Sequence, residues 1–271
     1  MSPPPVILSI AGYDPSSGAG ITADIKTAAA QNCYAVTCIT ALTVQSTQGV
    51  LGSQPVDAAW VRETLWALSE DLEIAAVRIG MLGSRKVATA VADFLAERPL
   101  PTVVLDPIIR SSSGAILLDE AGMEVLLTRL LPLCDVITPN IGEAAILTGV
   151  EPIATDAPWE GVLPRLRAMA EKLRELGSRA VVITGGHLSP ANDYLLYGEQ
   201  GSPREETFAG VHLKSHSTHG TGCAFATALA CCLAHRDALP QAVASAKDYV
   251  RKAIMAAYPL GKGIGPINHG A

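Results

Sequence analysis

Six short runs of β-branched and aliphatic residues, each followed by a stretch rich in Ala and Leu, govern what this chain can fold into. They cover residues 6–10, 35–42, 75–79, 102–105, 136–138 and 180–184. Each run is nearly unbroken in apolar character rather than alternating, which marks a strand buried on both faces. The stretches around them predict helices over 19–31, 58–71, 84–97, 120–131, 141–148, 163–176, 222–234 and 239–257. Strands alternating with helices build a mostly parallel sheet covered on both sides, so the expected fold is doubly wound α/β. A length of 271 residues with 49% hydrophobic content suits one large domain spanning 1–271 better than two small ones.

Other classes of protein fit poorly. The formal net charge of -6 and the scattered basic residues give no electrostatic footprint for nucleic acid. Residues 1–5 lack the basic and apolar regions of a secretory signal, and the first apolar run is far too short to cross a bilayer, so a cytoplasmic location is expected. The cysteines, at 33, 38, 134, 223, 231 and 232, show neither CxxC spacing nor histidine pairs. That argues against zinc and against a disulfide framework, and makes five of the six core thiols. The patches over 152–158 and 198–203 read as surface loops.

In open sheets of this kind ligands sit beyond the carboxyl ends of the strands. The unusual residues lie there: 14–20, 43–49, 80–83, 106–114, 139–143 and 185–187 each follow one of the six runs. In the first cluster, Gly18-Ala19-Gly20-Ile21-Thr22-Ala23 matches a relaxed dinucleotide pattern. That reading, a nicotinamide-dependent oxidoreductase, needs an acidic residue at the end of the second strand, and no Asp or Glu occurs between Asp24 and Asp57. The Walker A pattern is absent altogether. Two readings remain for this segment: a glycine turn whose amides approach a ligand, or a purely structural turn.

Ser217-Thr218-His219-Gly220-Thr221-Gly222-Cys223, opening a small-residue helix, carries more. Backbone amides freed by glycines, together with the positive end of a helix, make an anion nest suited to a transferring phosphoryl group. At the first turn of that helix Cys223 is expected to lose its proton more readily than a core thiol, and so to assist an attacking hydroxyl. The competing reading is a helix-packing glycine pair with an inert cysteine. Asp106, closing an apolar strand, and Glu143 supply hard oxygens of the kind Mg²⁺ prefers, although Glu143 also reads as a carboxylate favoured by a helix N-terminus.

At this point a family comes into view. Residues 11–20 through Ala23-Asp24-Ile25-Lys26-Thr27 resemble the opening signature of the hydroxymethylpyrimidine kinases. So do Thr40-Ala41-Leu42-Thr43-Val44-Gln45, Gly80-Met81-Leu82, Leu105-Asp106-Pro107, Thr138-Pro139-Asn140 to Glu143, Gly185-Gly186-His187, 218–223 and 263–269, in family order across the chain.

The resemblance implies a ribokinase-like fold with three layers, usually a homodimer. It implies a phosphotransferase that uses ATP and Mg²⁺ to phosphorylate 4-amino-5-hydroxymethyl-2-methylpyrimidine and then its monophosphate, in thiamine biosynthesis. Asp24 and Gln45 are the implied hydrogen-bonding partners of the pyrimidine, with Gly12, Val44 and Met81 around its ring. Gly220, Thr221 and Gly222 resemble the anion hole, and Cys223 the residue beside the substrate hydroxyl. Asn140, Thr184 and Thr218 are the implied ATP contacts, and Asp106 with Glu143 the magnesium-side acids.

Related sugar and pyridoxal kinases generally carry Asp at the place of Cys223, which favours the pyrimidine branch. Some relatives with this Cys accept pyridoxal or pyridoxine, so vitamin B6 phosphorylation is the alternative. A pyrimidine sensor without turnover is a third reading. It rests on three departures: Tyr13 in place of Ser, Thr184 in place of Lys, and residues 110–112 in place of a stretch with Lys. A missing ammonium removes a point charge that amides do not replace, and Arg110 is placed to compensate.

Overall fold

A computed structural model describes residues 3–111, 114–154, 157–199 and 201–271, so parts of the N-terminal stretch 1–5, of the 106–114 cluster, including Ser112, and of the expected loops at 152–158 and 198–203 lie outside the described residues. The elements run β1 (Val6–Tyr13), α1 (Gly20–Ala30), β2 (Tyr34–Ser46), β3 (Gly49–Pro55), α2 (Ala58–Asp71), β4 (Ile74–Ile79), α3 (Arg85–Glu97), β5 (Val103–Leu105) and α4 (Glu120–Val125). They continue with β6 (Val136–Ile137), α5 (Ile141–Thr148), α6 (Trp159–Glu175), β7 (Ala180–Ile183), β8 (Asp193–Glu199), β9 (Ser202–Phe208), α7 (Thr221–Ala234) and α8 (Leu239–Met255).

Among the described residues these strands form one sheet in the order β3-β2-β1-β4-β5-β6-β7-β8-β9. The six expected strands are its contiguous parallel centre. Their unbroken apolar runs have a direct cause, because successive side chains enter two different cores. On β1 Ile7 packs on one side and Leu8 and Ile10 on the other; on β7 Ala180 and Val182 alternate with Val181 and Ile183 in the same way. One core is closed by α2 to α6, the other by α1, α7 and α8. This is the three-layer α/β architecture expected.

Three strands escaped the sequence reading. β3 pairs antiparallel with β2, and β8 and β9 extend the far edge as an antiparallel pair. Of the segment 198–203, expected as a surface loop, Gly198 and Glu199 end β8 and Ser202 and Pro203 begin β9. β3 carries two glycines and ends in a proline, and β9 is largely charged, as solvent-facing edge strands often are.

Two helices differ at their ends. The helix expected over 120–131 is α-helical only to Val125, then widens and tightens through residues 126–133, where Pro132 cannot supply an amide to the preceding turn. The helix expected from 163 begins at Trp159 and holds Pro164 within it. The site-bearing helix α5 is closed firmly at both ends. Asn140 accepts from the Glu143 amide while Glu143 accepts from the Asn140 amide, and Gly149 ends the helix at φ 67°.

Candidate active site

The carboxyl ends of the parallel strands and the N-terminus of α7 enclose a cavity of about 1450 Å³. That exceeds the roughly 300–1,000 Å³ of an ordinary small-molecule site, and so leaves room for two reactants side by side.

The glycine turn after β1 has a clear structural role. Asp14 takes the Ser16 amide on Oδ1 at 2.8 Å, and the Gly18 and Ala19 amides on Oδ2 at 3.2 and 2.9 Å. Those donors are spent inside the protein, which leaves no cradle there for a dinucleotide pyrophosphate. The same carboxylate meets His219 Nε2 at 2.8 Å, and that nitrogen lies 3.2 Å from the Gln45 amide nitrogen. Burial raises the Asp14 carboxyl, but hydrogen bonds from His219 and Ser16 outweigh it and hold the group below the usual carboxylate range. A Cβ on Gly18 would overlap the His219 ring, and one on Gly220 would overlap the Gly18 carbonyl. The two glycine clusters therefore pack on each other, and the first positions the second.

The second cluster engages the His219 amide with the Gly265 carbonyl and, at 3.4 Å, the Thr221 amide with the Thr218 carbonyl, and leaves the Gly222 and Cys223 amides of the first helical turn to a ligand. Gly220 stands at φ 86°, the left-handed region, and turns the chain into α7. Among the described residues no side chain caps this helix, whose first turn, residues 220–223, lines the cavity. Uncapped amides at the positive end of a helix are an anion site in waiting.

Beneath it lies a group of polar residues inside the apolar layers. Arg78, near the carboxyl end of β4, is fully buried. Its Nη1 donates to Asp24 Oδ2 at 3.1 Å and its Nη2 to Asp106 Oδ2 at 2.6 Å. Asp24 also accepts from Ser9 Oγ at 2.6 Å and from Thr227 Oγ1 at 2.7 Å. The guanidinium passes directly over Gly80, where a Cβ would strike it.

Asp24 was expected as a partner of the pyrimidine, and the structure places it elsewhere. It has no exposed surface, its oxygens are occupied, and it does not line the cavity. Its role is to hold Arg78 beside Asp106. Val44 likewise stands away from the cavity with 64% of its surface exposed, because alternation along β2 turns Gln45 inward instead. Gly12, Gln45 and Met81 line the cavity, as do Asn140, Thr184 and Thr218. Of the three departures, Tyr13, Thr184 and Arg110 all border the same space.

The thiol of Cys223 lies within hydrogen-bonding reach of Asp106, Arg78 and the Gly20 amide. Expected to ionise easily, it does the reverse. Burial pushes it up to about 12, with Asp106 and Asp24 adding to the rise and Arg78 opposing it. Loss of hydration here outweighs the helix dipole, and the resting group is a neutral thiol.

Asp106 is pushed up to about 6 by burial, against the pull of Arg78, and Glu143 to about 8 by burial and by the nearby Asp106. Asp24 and Asp106 share one guanidinium and Glu143 lies near Asp106, a set of hard oxygens short of positive charge. Among the described residues no group of three or more His, Cys, Asp or Glu side chains is arranged to hold a metal ion by itself. Two carboxylates that leave most positions to water and phosphate oxygens fit Mg²⁺, which sheds its water reluctantly.

Asp14, His219, Arg78, Ser9 and Thr227 went unassigned in the sequence reading. A signal existed for the last three: each is a lone polar residue in an apolar run, Ser9 in 6–12, Arg78 in Ile74–Ile79 and Thr227 in 222–234.

Known proteins resemble this chain in sequence and in fold. Residues 14–268 match the family described as phosphomethylpyrimidine kinase. The chain is 38% identical over 270 residues to the hydroxymethylpyrimidine/phosphomethylpyrimidine kinase of Haemophilus influenzae, covering 98% of this chain and 96% of that one. It is 40% identical to the protein of the same name from Streptomyces coelicolor, over 98% and 95% of the two chains. Among solved structures it is similar to an ADP complex of Bacillus subtilis pyridoxal kinase, with a TM-score of 0.86, 31% identity and 98% of each chain covered. With a family match over nearly its whole length, and a ribokinase-like sheet whose uncapped helix faces two carboxylates across one large cavity, the chain belongs to the phosphomethylpyrimidine kinase family.

Proposed function

We propose that this one cavity carries both phosphorylations of the family, from the hydroxymethylpyrimidine to its monophosphate and from the monophosphate to the diphosphate. The chain is a hydroxymethylpyrimidine/phosphomethylpyrimidine kinase, a phosphotransferase of thiamine biosynthesis. The observation that carries the single-site reading is the convergence of the uncapped α7 N-terminus, Cys223 and Asp106 in a space sized for two ligands. Each transfer breaks the bond from the terminal phosphorus of ATP to its bridging oxygen, and forms one from that phosphorus to the acceptor oxygen. The acceptor proton is released.

Gln45 and Met81 form a polar point and an apolar wall for the neutral ring. The free amides of the first turn of α7 receive the terminal phosphate and gain most as charge spreads over its oxygens. Cys223, a neutral thiol, orients the acceptor oxygen by hydrogen bonding, and Asp106 holds that thiol in place. Asn140, Thr184 and Thr218 border the nucleotide half, with Arg110 near the phosphates. Asp106 and Glu143 would hold Mg²⁺, whose charge offsets that of the polyphosphate. The reading extends to a single domain working in the cytoplasm as a homodimer. Support for the dimer comes from the β2–β3 edge, where Leu51 is 84% exposed beside Val44 and Leu42. Among the described residues no helix is long and apolar enough to cross a membrane.

A second reading, phosphorylation of pyridoxal, draws support from the similarity to the Bacillus subtilis enzyme. Incubation with MgATP and hydroxymethylpyrimidine, its monophosphate or pyridoxal, followed by mass spectrometry of the products, decides between them. The expected result is pyrimidine mono- and diphosphate. Pyridoxal phosphate alone would replace the pyrimidine reading with the vitamin one, and no ADP release would leave only a binding protein.

A further inference from the structure

Far from the cavity, three cysteines and a histidine meet where the end of α1 and the start of β2 touch the last turns of α7. Cys33 Sγ lies 3.4 Å from His235 Nε2, and the same nitrogen lies 3.0 Å from the Gln31 carbonyl oxygen. A carbonyl oxygen only accepts, so Nε2 carries the hydrogen and the Cys33 sulfur is the acceptor facing it. Cys231 belongs to the same apolar cluster as Cys33, and the two side chains interact there. The Cys33 sulfur thus shares the His235 N–H with the Gln31 carbonyl and has a second thiol in its own cluster.

Accessibility divides the pair. Cys33 keeps 7% of its surface in contact with solvent and Cys231 none. Cys231 lies eight residues along α7 from Cys223, about 12 Å at 1.5 Å per residue, so nothing in the phosphoryl-transfer site uses this group.

We propose that Cys33 and Cys231 form an oxidation site, in which Cys33 reacts with a hydroperoxide and Cys231 resolves the product to an intramolecular disulfide. The Cys33 thiolate attacks one peroxide oxygen, the O–O bond breaks and hydroxide leaves, giving a sulfenic acid. The Cys231 sulfur then attacks the Cys33 sulfur. Its proton departs with the hydroxyl as water, and the S–S bond forms.

In all, two electrons pass from the two thiols to the peroxide, which ends as water. The interaction with Cys231, followed by His235, draws the Cys33 thiol down to about 7 despite burial, while the same interaction and burial raise Cys231. One sulfur is thereby readied as the nucleophile and its neighbour kept protonated until needed. A buried resolving partner in the same cluster favours closure within the chain over capture of an external thiol.

The test uses the full chain treated with hydrogen peroxide and digested without reduction. Tandem mass spectrometry should find a cross-link between Cys33 and Cys231, lighter by two hydrogens and reversed by dithiothreitol. Cys33→Ser should abolish it. Cys231→Ser should leave a dimedone-reactive sulfenic acid on Cys33, and Cys232→Ser should leave the cross-link intact. Fluorescent labelling of the untreated protein should reach Cys33 at least tenfold faster than the other five thiols. That readout survives even if a variant folds poorly. Oxidation at Cys223 ahead of Cys33, a Cys33–Cys232 bond, or labelling of Cys33 no faster than the rest would each overturn the proposal.

Discussion

Replacing Arg78 by Met removes the one cation that two buried carboxylates share. The ion pairs to Asp24 and Asp106 stand at 3.1 and 2.6 Å, with side-chain exposures of 0%/0% and 0%/6%. With charge centres roughly 4 Å apart and an effective dielectric constant of about 20, each attraction is on the order of 4 kcal/mol. The net cost is smaller, because an abandoned carboxylate recovers part of it by binding a proton, at about 1.4 kcal/mol per pKa unit. Orphaning a buried charge typically costs about 3–5 kcal/mol, and that is the expected loss near pH 8.

The sign with pH follows from the acids. Burial already raises both carboxyls above their unfolded values, Asp106 to about 6, with Arg78 pulling against it. Without Arg78 they rise further, so the folded variant binds more protons than the unfolded chain and loses stability as pH increases. The deficit relative to the parent should therefore be large at pH 8 and shrink toward pH 5. Urea unfolding followed by far-UV circular dichroism at both values measures it. A loss below about 1 kcal/mol, or an equal loss at both, would refute the view of Arg78 as the neutralising centre of this network.

Cys223→Ala should lower kcat by roughly 10²-fold while KM for the pyrimidine moves less than about threefold, because the thiol acts at the acceptor oxygen. Unchanged turnover would leave the amides of α7 as sufficient. Gly220→Ala forces a left-handed residue, about 1–2 kcal/mol, and pushes against the Gly18 carbonyl. A lower melting temperature together with a loss of kcat exceeding that of Cys223→Ala is expected; a variant of parental activity would show that the turn tolerates displacement. His269, 4% exposed with Nε2 unpartnered, is held down to about 4 by burial and by the nearby Lys26 and His219. The unfolded chain then binds the extra proton between about pH 6.5 and 4, so stability falls as pH drops through that window by on the order of 2–3 kcal/mol. His269→Phe should flatten this part of a stability-against-pH curve, and an unaltered curve would refute the assignment.

The centre of the sheet was legible because each of its strands is buried on both faces, which leaves an apolar run in the sequence. The edge strands β3 and β9 were not, since none of their residues is buried and local composition there resembles loop, and β8, buried only over 193–196, is too short an apolar run to stand out. The anion turn at 220–223 was readable from glycine, small residues and the helix that follows. Burial, however, is a property of the assembled layers. Hydration lost on packing made Cys223 a neutral thiol where helix position alone predicts an easily ionised one, and enclosed Asp24 where family likeness implied contact with substrate. Helical and strand periodicities are written residue by residue, so the chain alone determined its helices, its six central strands and the end of the sheet that bears the site. Which polar groups share a charge, Arg78 with Asp24 and Asp106 or Cys33 with Cys231 and His235, depends on contacts across 28 to 202 positions of sequence, and only the tertiary structure decided it.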